Sequence, residues 1–336
     1  MDKKIILSGM RPTGKLHLGH WVGALENWTK LQKEYKCFFM IADWHAFMSE
    51  YKNSGIIKES IFDNAADWLS YGIDPDQSVI FVQSQVPEHL ELEAILSALV
   101  PLSRLYRCPT FKEQIAQLKD KEINTYAFLG YPVLQASDIL LYKADSVPVG
   151  EDQLPHLELC REIVRKFHFI YKKKVFVEPK PILASTPRFL GLDGRKMSKS
   201  YQNYIALDES RQELNRKVLS MFTDPARKKR NDPGHPDVCN LFDYYFIFSA
   251  EDGSASDGKP QLSQIKKDCI NAQRGCRQCK EELVKILEEF IVLRRAKKQE
   301  ILNKKNYIKD ILEQGRKKAQ ETAAQTLDEV KEIVGL

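Results

Sequence analysis

The chain has 336 residues, of which 43% are hydrophobic and 29% charged, with a formal net charge of +5. That length allows two domains and a sizeable core. No apolar run reaches the length of a membrane span, and so mild a charge does not mark a dedicated polyanion binder. The start "MDKKIIL" lacks the apolar core and small-residue cleavage site of a secretory leader, so the cytoplasm is the expected compartment.

In chain order, "KIILS" (4–8) reads as a strand, and "GHWVGALENWTKLQ" (19–32) as an amphipathic helix with Trp21, Val22, Leu25, Trp28 and Leu31 at helical spacing. "CFFMIAD" (37–43) and "SVIFVQS" (78–84) are buried strands, with helices expected at 56–72 and 87–100. "ADSVPVG" (144–150) is a short strand, followed by a helix over 152–167. This strand–helix alternation predicts a Rossmann-like, doubly wound parallel sheet. After about residue 200 strand runs stop, and helices are expected at 208–221, 261–272, 280–305 and 306–333, with an exposed polar loop at 249–260. The expected organisation is an α/β catalytic domain over 1–190, a mobile loop over 191–205 and an α-helical domain over 206–336, its last helix able to return to the first domain. "RKKR" (227–230), "LRRAKK" (293–298) and "GRKKAQ" (315–320) each read as a solvated face; together in the last third they are candidates for a basic surface.

The segment after the first strand, "GMRPTGKLHLGH", contains Gly9-x4-Gly14-Lys15, most of a P-loop. A P-loop places Ser or Thr after its Lys to reach Mg²⁺, and here Leu16 follows. The other end is more suggestive. Gly9, Gly14 and Gly19 permit close backbone approach, and His17 and His20 stand where strand hands over to helix, whose free N–H groups favour an anion. A second motif, "GRKMSKS" (194–200), offers Lys196 and Lys199 with Ser198 and Ser200 on a polar segment that can close on a polyphosphate.

"HLGH" resembles the HIGH signature, and "KMSKS" matches the second signature, of the class I aminoacyl-tRNA synthetases. "SGMRPTGKLHLGHWVGALENW", "ADWHAF" (42–47), "YPVLQASDILLY" (131–142) and "VPVGEDQLPHLEL" (147–159) resemble the bacterial tryptophanyl branch, over essentially the whole chain. The resemblance implies an enzyme that uses ATP with Mg²⁺ to activate L-tryptophan, transfers it to tRNA(Trp) and works as a homodimer. It implies that His17, His20, Lys196 and Lys199 act on the phosphates. Arg11, Pro12, Thr13, Gly19, Gly150, Glu151, Asp152, Met197 and Ser198 complete the ATP site, although Arg11 replaces a Gln common in relatives. Ser8, Gly9, His45, Tyr131, Gln135, Asp138 and Gln153 would hold tryptophan. Tyr131, Gln135 and Asp138 share one helix face, and a carboxylate suits the donor-only indole N–H. Tyr-x3-Gln-x2-Asp also resembles the tyrosyl pocket, and many tryptophanyl relatives carry Met at Gln135, so this helix alone leaves tyrosine open. A non-catalytic RNA-binding paralogue is opposed by the intact signatures.

Cys37, Cys108 and Cys160 are isolated, and Cys37 sits in a strand-like run. Cys239, Cys269, Cys276 and Cys279 form a four-thiolate set in a compartment expected to be reducing, suited to zinc or a [4Fe–4S] cluster. Spacing alone favours zinc; resemblance to a subgroup of tryptophanyl enzymes favours the iron–sulfur cluster. The gap from Cys239 to Cys269 is longer than in that subgroup, which makes Cys239 the weakest of the four ligands.

Overall fold

The computed structural model describes residues 3–108, 122–183, 189–249, 262–304 and 306–336; the loop expected at 249–260 lies outside them except for Ser249. Contacts divide the chain into two compact units. One comprises Met1–Lys15, Ala24–Ser185 and Ile301–Leu336; the other comprises Leu16–Gly23 and Thr186–Glu300.

The first unit is built on five parallel strands: β1 (Ile5–Met10), β2 (Lys36–Ile41), β3 (Ser78–Val82), β4 (Ser146–Val149) and β5 (Lys180–Leu183), in the order β3-β2-β1-β4-β5. This is the doubly wound arrangement expected from the alternation. The order reverses between β1 and β4, where such sheets open a crevice beyond the strand carboxyl ends. β1 and β2 pair along all six residues, whereas β1 and β4 share only the Ile6–Ser146 register. Parallel strands covered on both faces need nearly continuous apolar sequence, and Cys37 to Ile41 in β2 are all buried.

Among the described residues the α-helices are α1 (Leu18–His20), α2 (Glu26–Glu34), α3 (Asp43–Glu50), α4 (Gly55–Ser70), α5 (Glu88–Ser97), α6 (Leu102–Tyr106), α7 (Tyr126–Leu141), α8 (Leu154–Tyr171), α9 (Arg211–Ser220), α10 (Asn240–Phe248), α11 (Leu262–Ile270), α12 (Cys276–Asn303) and α13 (Tyr307–Val334). The helix expected over 19–32 is interrupted: a wider turn at Trp21–Leu25, around Gly23, separates α1 from α2. The helix expected from 280 already begins at Cys276. β5, α3, α6 and α10 are additions that the sequence patterns did not supply.

α13 packs on β3, the strand at the sheet's edge. A Cβ on Gly315 would stand 1.7 Å from the Ile80 carbonyl oxygen, so only glycine admits this approach of helix to strand. Gln320 donates to Glu88, and Lys331 pairs with Glu91.

The second unit is helical. Its first segment is joined to the stretch after 200 by main-chain bonds: Leu18 N–H donates to Ile205 O (2.9 Å), and Leu207 N–H to Leu16 O (3.0 Å). Within it α12 buries Leu283, Leu287 and Ile291, and Phe290 meets Trp21 at 5.6 Å and Phe248 at 4.9 Å between ring centroids. Lys298, 1% exposed, donates to Asp208 at 3.1 Å.

Candidate active site

In the first unit the strand ends and following loops bring the expected amino-acid pocket together. Asp138 lies on α7, a helix capped by Thr125, whose hydroxyl accepts from Phe128 N–H. The Asp138 carboxylate is buried and carries three hydrogen bonds. His45 Nε2, from α3, lies 2.7 Å from Oδ2; Gln83 Nε2 donates to Oδ1 at 2.8 Å; His89 Nδ1, from α5, lies 2.6 Å from the same Oδ1. Burial alone would raise the Asp138 pKa, but the charge and hydrogen bond of His45 and the hydrogen bond of His89 outweigh it and hold the group at about 2. The carboxylate is therefore ionised, and its charge is felt at half-buried Glu93, which is raised by burial and then by Asp138.

A second chain of contacts runs beside the first. Tyr131 Oη lies 2.9 Å from His156 Nε2, and His156 Nδ1 lies 3.1 Å from Gln153 Oε1. Burial lowers the His156 pKa to about 4, which keeps the ring neutral. Tyr131 meets His45 edge-on at 6.5 Å, and Gln135 follows one turn after Tyr131, half-buried. Tyr131, His45, Asp138 and Gln153 thus join one connected group. Gln83, His89 and His156 belong to it and were not among the expected pocket residues. His89 had one visible signal, its place in an apolar stripe with Leu92 and Leu96, which reads as core.

Gly9 sits at the end of β1 with Met40 filling the space beside it; a Cβ would lie 3.1 Å from the Met40 carbonyl oxygen. The Ser8 hydroxyl is already engaged. It accepts from the Trp28 indole N–H at 3.1 Å, because alternate residues of a strand face opposite sides, so the side chain serves the packing of α2. Arg11 is exposed, with Nη1 3.5 Å from Ser49 Oγ, and Pro12–Thr13 form a turn through Thr13 N–H to Arg11 O. Gly14, at φ +97°, donates its N–H to Ser60 Oγ at 2.7 Å. That amide is engaged by a side chain, in keeping with the exclusion of a P-loop. After β4, Gly150 is followed by exposed Glu151 and Asp152; a Cβ on Gly150 would meet Asp152 Oδ1 at 2.6 Å.

In the second unit the two signature motifs come together. Gly19 N–H points at Met197 Sδ, 3.3 Å away, so the methionine of "KMSKS" rests on the start of α1. His17 and His20 lie ring against ring at 3.8 Å, and His20 Nδ1 accepts from His17 N–H at 3.1 Å. The His17 ring is buried; burial, with a further push from Lys199, lowers its pKa to about 3. The loop is held by Asn203, which accepts from Ser198 N–H (2.8 Å) and donates to Asp193 (2.6 Å) and Lys196 O (3.2 Å). Met197 is buried, Lys199 and Ser198 are half-buried, and Lys196 and Ser200 are exposed. Main-chain and amide contacts fix the loop, with Lys196 exposed and Lys199 half-buried beside His17.

The four C-terminal-region cysteines line one pocket with Asp224 and Tyr245, and Cys239 is among them despite its distance in sequence. Cys239 caps α10, and Cys276 and Cys279 lie in the first turn of α12, where helix N-termini favour negative sulfur. Arg274 Nε donates to Cys279 Sγ at 2.9 Å, and Arg227 approaches Cys269 Sγ at 3.9 Å. Burial raises the thiols of Cys239, Cys269 and Cys279. Among the described residues no group of three or more His, Cys, Asp or Glu converges as the ligands of a metal ion. Among them also, no helix is long and apolar enough to cross a membrane.

The tRNA synthetases class I (W and Y) family matches residues 2–292, and the chain belongs to it. The branch within it follows from individual relatives. A tryptophan–tRNA ligase of Thermotoga maritima is 48% identical over 98% of this chain and 99% of its own length. One of Aquifex aeolicus is 38% identical over 98% and 99%. A tryptophanyl-tRNA synthetase of Campylobacter jejuni, solved with ADP and tryptophan, superposes with a TM-score of 0.86 at 32% identity, covering 99% of this chain and all of that one. A tyrosyl-tRNA synthetase of Archaeoglobus fulgidus, at 20% identity and a TM-score of 0.68, shares the fold alone. The chain therefore stands in the tryptophanyl branch.

Proposed function

We propose that the protein activates L-tryptophan with ATP and Mg²⁺, releasing pyrophosphate, and transfers the tryptophanyl group to tRNA(Trp) with release of AMP. The observation that carries this reading is the buried, ionised Asp138. Its Oδ1 is taken by two donors, while Oδ2 has one donor and a second lone pair for an indole N–H. Tryptophan's carboxylate is already ionised at neutral pH and attacks the α-phosphorus of ATP without a general base. Catalysis then consists of positioning and charge stabilisation. In this reading the ring nitrogens of His17 and His20 donate to phosphate oxygens. His17, kept neutral, supplies a single N–H, and its Nδ1 is buried without a hydrogen-bond partner among the described residues. Lys196 and Lys199 neutralise the departing pyrophosphate. Gly19, Met197 and Ser198 shape that loop; Arg11, Pro12, Thr13 and Gly150–Asp152 hold the nucleotide; Gly9, His45, Tyr131, Gln135 and Gln153 surround the amino acid. The domain limits at 190 and 205 belong to the same proposal, with 191–205 as the moving segment, as does work in the cytoplasm as a homodimer. Phe47, Leu102, Tyr106 and Tyr126 are exposed, and a partner copy would cover apolar surface of this kind. Amino-acid-dependent ATP–pyrophosphate exchange tests the reading: exchange is expected with tryptophan and not with tyrosine, and its absence with both overturns it.

We also propose that Cys239, Cys269, Cys276 and Cys279 hold a [4Fe–4S] cluster, with zinc as the alternative. A single tetrahedral zinc needs its sulfurs about 2.3 Å from one point. A cuboidal cluster gives each cysteine its own iron and so accepts wider-set sulfurs around a pocket. The pocket, the two helix N-termini and the neighbouring arginines support the cluster. When bound, it would organise the segment that carries Arg274, Arg277 and Lys280 for an RNA backbone. Iron and sulfide analysis of anaerobically purified protein decides between the metals. Cys276→Ser should impair tRNA charging more than pyrophosphate exchange; equal loss of both would indicate a general folding role.

A further inference from the structure

One buried residue has no part in either signature motif and yet touches the group that reads the substrate. His89 is 0% exposed. Its Nδ1 lies 2.6 Å from Asp138 Oδ1, and its Nε2 lies 2.9 Å from Tyr142 Oη. The proton positions follow from the partners. An ionised carboxylate only accepts, so Nδ1 carries the hydrogen. The Tyr142 phenol, pushed well up by burial and by Asp138, keeps its proton, and a neutral ring with its hydrogen on Nδ1 accepts that proton at Nε2. The ring cannot turn away, since Tyr142 is itself packed against Phe38 at 4.6 Å and Phe81 at 5.6 Å. The His89 backbone is held as well: its carbonyl accepts from Ser137 Oγ at 2.6 Å, one residue before Asp138 on α7.

A carboxylate on a short side chain rotates easily between two nearly equivalent settings. Here His89 and Gln83 both claim Oδ1, while His45 alone claims Oδ2. We infer that His89 is a positioning residue for substrate choice: the Tyr142–His89 pair, with Gln83, locks the Asp138 carboxylate so that Oδ2 alone presents a free lone pair to an indole N–H. The inference rests on the reading of Asp138 as the indole acceptor. It goes beyond that reading by naming what fixes the acceptor.

The test uses amide replacements that divide the two contacts of the ring. The amide nitrogen of His89→Asn overlays Nδ1 and keeps the donor to Asp138. That of His89→Gln overlays Nε2 and abandons Asp138. The readout is pyrophosphate exchange with tryptophan against its benzothiophene analogue, in which sulfur replaces the N–H, with KM for ATP measured alongside and thermal melts to establish folding. Taking one of two hydrogen bonds from a buried, charged acceptor carries a loss that corresponds to about a tenfold to hundredfold change. His89→Gln is therefore expected to raise KM for tryptophan and cut the preference for tryptophan over the analogue at least about tenfold, with KM for ATP unchanged. His89→Asn should keep most of the preference. Tyr142→Phe, which leaves Nε2 without its donor, should lower the preference by about two- to threefold and serves if either His89 variant does not fold. Folded His89→Gln and Tyr142→Phe proteins with the parent preference would overturn the inference, as would equal loss in the Asn and Gln variants, which marks a merely structural role. An unmodified protein that exchanges pyrophosphate with tryptophan but shows no preference over the analogue would instead remove the underlying assignment of Asp138.

Discussion

The pocket around Asp138 and the loop around Lys196 and Lys199 are built on opposite plans. Around Asp138, donors from α3, α5 and the end of β3 meet one buried carboxylate, and its oxygens carry three hydrogen bonds. In the loop, side-chain amide and main-chain contacts through Asn203 hold the chain, while the two ammonium groups stand at or near the surface. The difference matches two tasks. Discrimination requires polar groups that are costly to leave unpaired, which only a dry, rigid site provides; such sites reject an analogue lacking one hydrogen bond by about 10⁴–10⁵. Stabilising a departing polyphosphate requires charge that arrives when the bond breaks, and that favours long cationic side chains on an anchored but reachable loop.

The separation can be tested from both sides. The largest effect is expected for Lys199→Ala: kcat in pyrophosphate exchange should fall by about 10²–10³, with KM for tryptophan and the melting temperature nearly unchanged. A rise in KM for tryptophan instead would break the division of labour. Asp138→Asn should do the reverse. It lowers kcat/KM for tryptophan by roughly 10²-fold, mostly through KM, because it keeps the shape and removes a buried charge that histidines already pair. Third comes acid. His156 at about 4 and His17 at about 3 both lie below the unfolded value of 6.5, so the native state binds fewer protons than the unfolded one. Their contribution is full above pH 6.5 and is lost as pH falls toward 4. Denaturant titration at pH 7 and 4.5 should differ by roughly 2 kcal/mol for His156 alone, and no loss at pH 4.5 would contradict its burial as a neutral ring. The smallest effect is reserved for a residue in neither region. Gly315→Ala, forced against Ile80, should lower stability by about 1–3 kcal/mol in thermal or denaturant unfolding while leaving exchange kinetics intact once folded.

The two regions also differed in how well the sequence displayed them. His17, Gly19, His20 and the loop 194–200 were legible because each motif is local: consecutive residues must supply glycine, imidazole and ammonium at one turn of chain. The Asp138 network was only half legible. Its partners come from separate elements, and nothing in the order of residues states that His89 and Gln83 point at the same oxygen. His89 amid Leu92 and Leu96 carries only the mark of burial. His156 stands within "VPVGEDQLPHLEL", but nothing in that run displays its bond to Tyr131. The partner of Ser8 is hidden for a related reason, since the alternation of a strand sends its hydroxyl to Trp28. Among the elements, β5 was hidden by brevity and by Pro181, which demotes a strand except at an edge. The run "NLFDYYFIF" of α10 is too uniformly aromatic to display a helical period. The pocket containing Cys239 depends on pairings that sequence spacing alone does not fix.

The seat of α13 on β3 has a consequence for how the chain comes to be folded. An edge strand with open main-chain groups is a template for unwanted pairing, and in this protein its cover is supplied from far downstream: the Lys331–Glu91 pair spans 240 residues of sequence. While a ribosome is still making the intervening residues, β3 can be fully formed and yet bare along that edge. Closing so long a loop adds little to the equilibrium cost, since that entropy grows only with the logarithm of length. It delays protection, however, and contacts of such long range slow folding. The hazard is therefore one of timing: β3 stays without this cover until translation has passed Gly315, and both Asp138 and the loop over 194–200 are synthesised within that interval.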